Sequence, residues 1–149
     1  HEACSRSVVV PFVEKIYPVP AKPEDRLLRG FSKSCWGALS LLLRHPYVFG
    51  RAAAWDAPLM MDRPGKYGSA ENFGTPENFE KYRITKLLES QTGRFQKEKR
   101  LMLTGYGNFR DHHVQAHALL NRLKLAPVYR VGPREEANGP RGGAEGASA

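Results

Sequence analysis

A parallel α/β sheet is the fold class that the sequence predicts, on three observations. Between residues 26 and 131, short strand-like segments alternate with segments whose apolar residues repeat at helical spacing. A helix-like segment joins the first strand to the second, which is the connection that parallel strands need. The 41% hydrophobic residues in a chain of 149 are also enough for one packed core. We therefore expect one α/β domain, with helices on both faces of its sheet.

Helix and strand signals alternate over the first half of this domain. Residues Ser7–Tyr17 predict a helix with one buried stripe, because four apolar side chains fall at positions i, i+3, i+4 and i+7. These are Val9, Phe12, Val13 and Ile16. Three prolines between residues 18 and 23 end that helix. A short strand over Arg26–Phe31, a buried helix over Ser34–Arg44 and a strand over Val48–Trp55 follow.

The second half of the domain begins with a long excursion. Residues Pro58–Glu98 are rich in Gly, Pro and aromatic residues, and a helix is predicted within them over Pro76–Ser90. A third strand over Arg100–Thr104, a helix over Phe109–Leu125 and a fourth strand over Pro127–Val131 complete the pattern. Excursions of this kind usually border a functional site.

Both ends of the chain differ from this domain, which we place at residues 1–133. Residues 134–149 hold four Gly and four Ala and no large apolar side chain, so they predict a disordered tail. The chain starts at His1, and we interpret this start as cut from a longer polypeptide. Its first residues lack the basic-then-apolar layout of a signal peptide, which favours the cytoplasm as the compartment.

Composition limits the classes of function. The chain has 23 Lys and Arg against 15 Asp and Glu, and this net charge of +8 raises binding to nucleic acid as a hypothesis. The basic clusters Lys97–Arg100 and Arg122–Lys124 form no nucleic-acid module, so we interpret them as solvated surface and expect no nucleic-acid partner. No apolar run approaches the ~20 residues of a membrane-spanning helix. Only Cys4 and Cys35 are present, too few for a disulfide scaffold.

The junction between the first strand and the buried helix is the most informative place in the sequence. Ser32 lies between these two elements, where a nucleophile elbow exposes its hydroxyl. That turn strains the backbone of the serine and requires small residues two positions before and after it, and Gly30 and Ser34 both qualify. The helix that follows would aim the Lys33 amide at the same spot, as a donor to an oxyanion. The alternative role for Ser32 is an ordinary helix N-cap.

The segment from Gly30 to Gly50 resembles the elbow, helix and next strand of one esterase family of α/β-hydrolases. Its elbow reads Gly-Phe-Ser-Lys-Ser-Cys-Trp-Gly. The family includes esterase D (S-formylglutathione hydrolase), feruloyl esterases and mycolyltransferases. The resemblance extends over residues 7–131 and covers only the C-terminal half of the family's domain. It implies a partial α/β-hydrolase fold and hydrolysis of a carboxylic ester or thioester through an acyl-enzyme on Ser32, without a cofactor.

Three departures from the family pattern bear on catalysis. Ser34 and Cys35 stand where the family elbow has two glycines. In the turn after the third strand, Asn108 stands where the family has its acid, and Asp111 and Asp56 are the other candidates for that role. The catalytic histidine of the family follows the last strand, and this sequence has no histidine from residue 132 onward. Without a base, a serine hydroxyl is a poor nucleophile at neutral pH.

The remaining reactive residues have structural alternatives. Cys35 is more typical of a small buried helix residue than of a nucleophile. His113 and His117 stand at i and i+4, but no third ligand follows at a fixed spacing, so we expect a solvated or half-buried helix face and no metal site. Of the three histidines on this helix, His112 has the best position to approach Ser32.

We therefore expect an esterase-type serine hydrolase that is truncated and impaired in this chain. The alternative is a catalytically inactive fragment, or a pseudo-enzyme that acts by binding. A small-molecule ester or thioester is the expected partner, with no membrane partner. Half of a doubly wound sheet would leave one strand edge and apolar surface uncovered, which predicts self-association.

Overall fold

A four-stranded parallel sheet forms the centre of the structure, a computed structural model that describes residues 2–65, 68–96, 98–105, 107–125 and 127–130. The strands are β1 (Leu27–Phe31), β2 (Arg51–Trp55), β3 (Leu101–Thr104) and β4 (Val128–Arg130). They lie in the order β1-β2-β3-β4, and all neighbouring pairs are parallel. The parallel sheet predicted from the sequence is confirmed.

Helices connect these strands, and their bounds refine the prediction. They are α1 (Glu2–Cys4), α2 (Val10–Ile16), α3 (Lys33–Arg44), α4 (Ala70–Phe73), α5 (Pro76–Glu80), α6 (Ile84–Ser90), α7 (Thr92–Phe95) and α8 (Arg110–Arg122). A π-helical stretch over Ser5–Val9 joins α1 to α2, and a 3₁₀ turn spans Pro23–Asp25. The single helix predicted over residues 76–90 is wrong, since Lys81–Arg83 separate α5 from α6. None of the described helices is long and apolar enough to cross a membrane.

The second strand starts three residues later than predicted. The amide N–H groups of Val48 and Phe49 both donate to the carbonyl of His45, which holds these two residues in a turn after α3. The Gly50 N–H then donates to the Arg26 carbonyl, and the chain enters β2 at Arg51. Local turn hydrogen bonds therefore take precedence over the strand propensity of Val48 and Phe49.

The first helical segment does not bury the stripe that its spacing predicts. Val9, Phe12 and Ile16 are 49%, 58% and 56% exposed, so this part of the prediction is wrong. The periodicity correctly indicates an amphipathic helix, but an apolar stripe is buried only where another element covers it. The segment is attached through polar contacts: Glu14 with Arg26, and Glu2 with Arg44 and His45.

One face of the sheet holds the hydrophobic core. The helices α3, α6 and α8 contribute most of its helical side chains, and they pack with the alternate strand residues Ala52, Ala54, Leu101 and Leu103. Leu27 and Phe31 on β1 point to the other face of the sheet. Met102 on β3 points to the same face, because it pairs with Ala53 on β2, which also lies on that face. These three side chains are 63%, 46% and 39% exposed. The described part of the molecule therefore presents an apolar sheet face beside the free edge of β1.

Arg100 is an exception to the prediction that its basic cluster is solvated. Its guanidinium donates to the carbonyls of Pro46, Phe49 and Gly50 and lies 4.8 Å from the centroid of the Phe95 ring. The side chain is only 13% exposed. Arg100 thus ties the turn after α3 to the start of β3. The predicted tail over residues 134–149 lies outside the described residues.

Candidate active site

Ser32 occupies a strained turn at the carboxyl end of β1. Its backbone has φ 53° and ψ −119°, a conformation that costs a non-glycine residue roughly 1–3 kcal/mol. The Ser32 N–H donates to the Trp55 carbonyl at 3.0 Å, which continues the β1–β2 ladder by one residue. Ser32 is the N-cap residue of α3, but its hydroxyl makes no capping hydrogen bond to the helix. The strained backbone and the uncapped hydroxyl of Ser32 are what the sequence prediction of a nucleophile elbow requires.

The residues on both sides of Ser32 explain how the chain makes this turn. A Cβ added to Gly30 would come within 2.4 Å of the backbone of Ser34 and Cys35, so only glycine fits there. The Ser34 hydroxyl accepts from the Phe31 N–H and donates to the Phe31 carbonyl, both at 2.8 Å. A serine in place of the expected glycine therefore closes the turn with two hydrogen bonds.

The start of α3 supplies an anion-binding environment beside Ser32. Lys33 is the first residue of this twelve-residue helix, so its N–H has no acceptor within the helix. The helix dipole adds a partial positive charge at the same end. Cys35 points inward, fully buried, and its thiol donates to the Gly30 carbonyl. This burial confirms the interpretation of Cys35 as a small buried helix residue, and it raises the pKa of the thiol to about 12.

Asp56 ends the neighbouring strand at the same level as Ser32. Its N–H donates to the Thr104 carbonyl at 3.0 Å, and its backbone has a positive φ of 43°. The carboxylate is buried, with its Oδ1 accepting from the Phe109 N–H at 3.0 Å. A Cβ added to Gly107 would come within 2.4 Å of its Oδ2. The Asp56 carboxylate thus lies inside the turn that follows β3.

The other two acid candidates do not reach this position. Asn108 lies in the same turn but is exposed, and Asp111 is exposed in the first turn of α8. In the described structure, the carboxylate in contact with this turn is the one that β2 delivers.

His113 is buried behind Asp56, which the sequence did not indicate. Its ring packs against Gly105, and its Nε2 accepts from the Ala57 N–H at 2.9 Å. Among the described residues its Nδ1 has no hydrogen-bond partner. Burial lowers the pKa of His113 to about 4, and the nearby Asp56 charge offsets part of this effect. His113 is therefore a neutral imidazole that holds the chain after β2.

The two other histidines of α8 also have structural contacts. His112 Nδ1 accepts from the Met60 N–H at 3.0 Å, and its ring contacts Phe109. His117 stacks on Tyr129, with ring centroids 4.2 Å apart. In the described residues, no histidine is hydrogen-bonded to the Ser32 hydroxyl.

A cavity of about 370 Å³ lies along α3 and begins next to the elbow. One stripe of the helix lines it from its first turn to its last: Lys33, Trp36, Gly37, Ser40, Leu41 and Arg44. Residues from 58–61 and 69–82 form the opposite wall, including Met61, Phe73 and Tyr82, together with Glu2 and Ser5 near the start of the chain. The predicted excursion therefore does border the site. Sequence reasoning missed the cavity because its walls come from distant segments.

The parallel sheet, the strained serine and the buried helix that follows it together indicate one fold class. A parallel sheet with a positive-φ serine between a strand and a buried helix is the arrangement of α/β-hydrolases. Solved structures with this fold are similar to the chain. A ferulic acid esterase aligns with a TM-score of 0.72 at 18% identity, over 91% of this chain and 52% of the esterase.

Other solved neighbours belong to the same group. S-formylglutathione hydrolase from Staphylococcus aureus aligns with a TM-score of 0.67 at 16% identity, over 86% of this chain and 50% of that enzyme. The fluorophosphonate-binding serine hydrolase F of the same organism gives a TM-score of 0.68 at 16% identity, over 87% and 54% of the two chains. No protein-family model and no curated protein sequence matches.

The comparisons confirm the fold expectation. The chain has a partial α/β-hydrolase fold and spans about half the length of the esterases and serine hydrolases that it is similar to.

Proposed function

We propose that this chain carries the nucleophile half of an esterase-type serine hydrolase, with Ser32 as the nucleophile. The observation that supports this most is the backbone of Ser32, which is strained, free of capping bonds and placed at a helix N-terminus. The solved neighbours are esterases and serine hydrolases, which favours a carboxylic ester or a thioester as the substrate.

The reaction would proceed in two steps through an acyl-enzyme. The Ser32 hydroxyl oxygen attacks the carbonyl carbon and passes its proton to a base. The negative charge that forms on the carbonyl oxygen is stabilised by the Lys33 N–H. The alcohol or thiol leaves with a proton, and water then releases the acid by the same route in reverse order.

Asp56 is the residue we propose as the acid of this site. Its carboxylate is buried and fixed by the Phe109 N–H, whereas Asn108 and Asp111 are exposed. In this fold the acid is presented from the carboxyl end of the sheet, and the end of β2 satisfies this requirement. Asp56 would orient and stabilise a protonated imidazole.

Among the described residues, no base is hydrogen-bonded to the Ser32 hydroxyl. His113 has its Nε2 occupied by the Ala57 N–H, so that nitrogen cannot accept a proton from Ser32. We therefore propose that turnover by this chain is slow because Ser32 lacks a hydrogen-bonded base. Added imidazole should then supply the base from solution.

Hydrolysis of p-nitrophenyl acetate with and without imidazole tests this proposal. The chain is compared with its Ser32→Ala variant, and Ser90→Ala serves as the matched control, because Ser90 is exposed at the end of α6 and takes no part in the elbow or the cavity. We expect a Ser32-dependent rate that rises with imidazole by about tenfold or more and then saturates. A rate that is the same in Ser32→Ala at every imidazole concentration would contradict the proposal.

A role in binding alone is the second candidate, and the cavity along α3 is the observation that favours it. In that case the chain binds the apolar part of a ligand but never forms an acyl-enzyme. Binding that survives in Ser32→Ala, with no acylation of the parent chain, distinguishes this candidate from the first.

A further inference from the structure

The cavity along α3 has an elongated shape. Its helical wall runs from Lys33 to Arg44, eleven residues apart, which is about 16 Å at 1.5 Å per residue. Most of the cavity surface is apolar and includes Trp36, Leu41, Met61 and Phe73, while Ser5, Ser40, Ser69, Asn72 and Asn78 contribute polar groups to the walls. A volume of about 370 Å³ is within the range of small-molecule sites. This shape and lining suit a linear alkyl chain.

Gly37 leaves space in this cavity that packing does not require. It lies inside α3, where glycine costs about 1 kcal/mol relative to alanine. A Cβ added to Gly37 would meet nothing within 4 Å, and no positive φ explains the glycine. Gly37 is exposed and lines the cavity, so a side chain larger than alanine at this position would occupy part of the open space along α3.

The charges at the two ends of the cavity differ. At the far end, Arg44 Nε donates to the Glu2 carboxylate at 3.0 Å, and the Arg44 guanidinium lies 4.5 Å from the centroid of the Tyr82 ring. The charge of Arg44 is therefore already paired with a carboxylate. At the elbow end, no carboxylate of the described residues pairs with Lys33, whose Nζ lies against Gly68. The charge of Lys33 is thus available to a ligand at the elbow end.

We propose that this cavity binds the acyl chain of a linear, medium-length ester, with the carboxylate of the released acid beside Lys33. The proposal rests on the proposed function, because it places the acyl carbonyl next to Ser32. Gly37 would then determine the acyl length that the site accepts, and Lys33 would recognise the charge of the acid.

Decanoate binding to the Ser32→Ala variant, measured by titration calorimetry, tests the proposal independently of catalysis. We expect saturable binding of one decanoate per chain. Gly37→Leu should weaken it by about tenfold or more, because leucine fills the space of several methylenes. Gly93→Leu is the matched control, since Gly93 also lies in a helix with nothing within 4 Å of an added Cβ but is remote from the cavity. It should bind like the parent.

A second variant keeps the test valid if Gly37→Leu fails to fold. Lys33→Gln preserves the backbone amide and removes an exposed charge. It should weaken decanoate binding by about tenfold and leave decanamide binding unchanged. Non-saturating uptake, equal losses in Gly37→Leu and Gly93→Leu, or equal effects of Lys33→Gln on decanoate and decanamide would overturn the proposal. If decanoate binds as expected but Ser32 of the parent chain is not acylated, only the proposed function is overturned.

Discussion

Small residues determine the geometry at Ser32. Gly30 allows α3 to approach β1, and Ser34 closes the turn through its two bonds to Phe31. The elbow could be predicted from sequence because each of these requirements is local. The acid could not be settled, because Asp56 reaches the turn after β3 from a different strand. The burial of His113 was equally hidden, since it depends on Ala57 and Gly105, both distant in sequence.

Replacement of Gly30 by alanine should destabilise the chain strongly. The added Cβ would overlap the backbone of Ser34 and Cys35, at a cost of about 3 kcal/mol in the free energy of unfolding. Gly37→Ala on the same helix meets nothing and should raise stability by up to about 1 kcal/mol. Urea unfolding of both variants measures the difference. Equal effects of the two substitutions would show that the turn is not as tight as described.

The free energy of unfolding should decrease at acid pH because of His113. Its pKa in the folded chain is lowered to about 4, from an ordinary value of 6.5, so the unfolded chain binds more protons between these values. The contribution of neutral His113 to the free energy of unfolding is complete above pH 6.5. It is lost as the pH falls towards 4, and the total loss is at most about 3 kcal/mol. His113→Gln should flatten the unfolding free energy over that pH range. His117→Gln, which alters a histidine stacked on Tyr129, should leave the slope in place.

Each secondary-structure element is fixed by a few side chains that connect it to a neighbour. The strands and the helices α3 and α8 could be predicted because their apolar spacing matches their burial. The first helix could not be placed correctly, since spacing alone does not tell whether Phe12 and Ile16 have a covering neighbour. Arg100 shows the same limit for charge: a basic cluster in sequence contains one guanidinium that the fold turns inward.

Removal of the Arg100 guanidinium should therefore destabilise the chain. Arg100→Met leaves three carbonyl groups without their donor, and we expect a loss of about 3 kcal/mol in the free energy of unfolding. Arg122→Met is the control, because Arg122 is 73% exposed and contacts Glu89 only at 3.9 Å. Its effect should stay below about 1 kcal/mol. Chemical denaturation of the two variants decides, and similar losses would refute the role assigned to Arg100.

At the scale of the whole molecule, the described residues expose several apolar side chains that the core does not bury. Leu27, Phe31 and Met102 are exposed on one sheet face, and Phe12 and Ile16 are exposed on α2. This chain aligns with only 52% of the ferulic acid esterase and 50% of the S-formylglutathione hydrolase. The resemblance to half of a doubly wound sheet predicts an uncovered strand edge and apolar surface, and the exposed side chains among the described residues agree with this expectation.

Self-association through the uncovered sheet should follow from this surface. Sedimentation velocity should show species larger than the monomer, with a proportion that rises with concentration. Leu27→Lys on the exposed face should shift the distribution towards monomer. Val114→Lys, at a side chain 50% exposed on α8, should not. A monodisperse monomer that unfolds cooperatively at all concentrations would contradict this expectation.

The central claim is that Ser32 is a nucleophile, and labelling with a fluorophosphonate probe tests it most directly. The chain, Ser32→Ala and Ser90→Ala would be treated with the probe in the presence of imidazole, and the modified peptide identified by mass spectrometry. We predict a phosphonyl group on Ser32 in the chain and in Ser90→Ala, whose substituted residue is exposed on α6, and none in the peptide of Ser32→Ala. Labelling at another residue, or at no residue above the level of Ser32→Ala, would contradict the account.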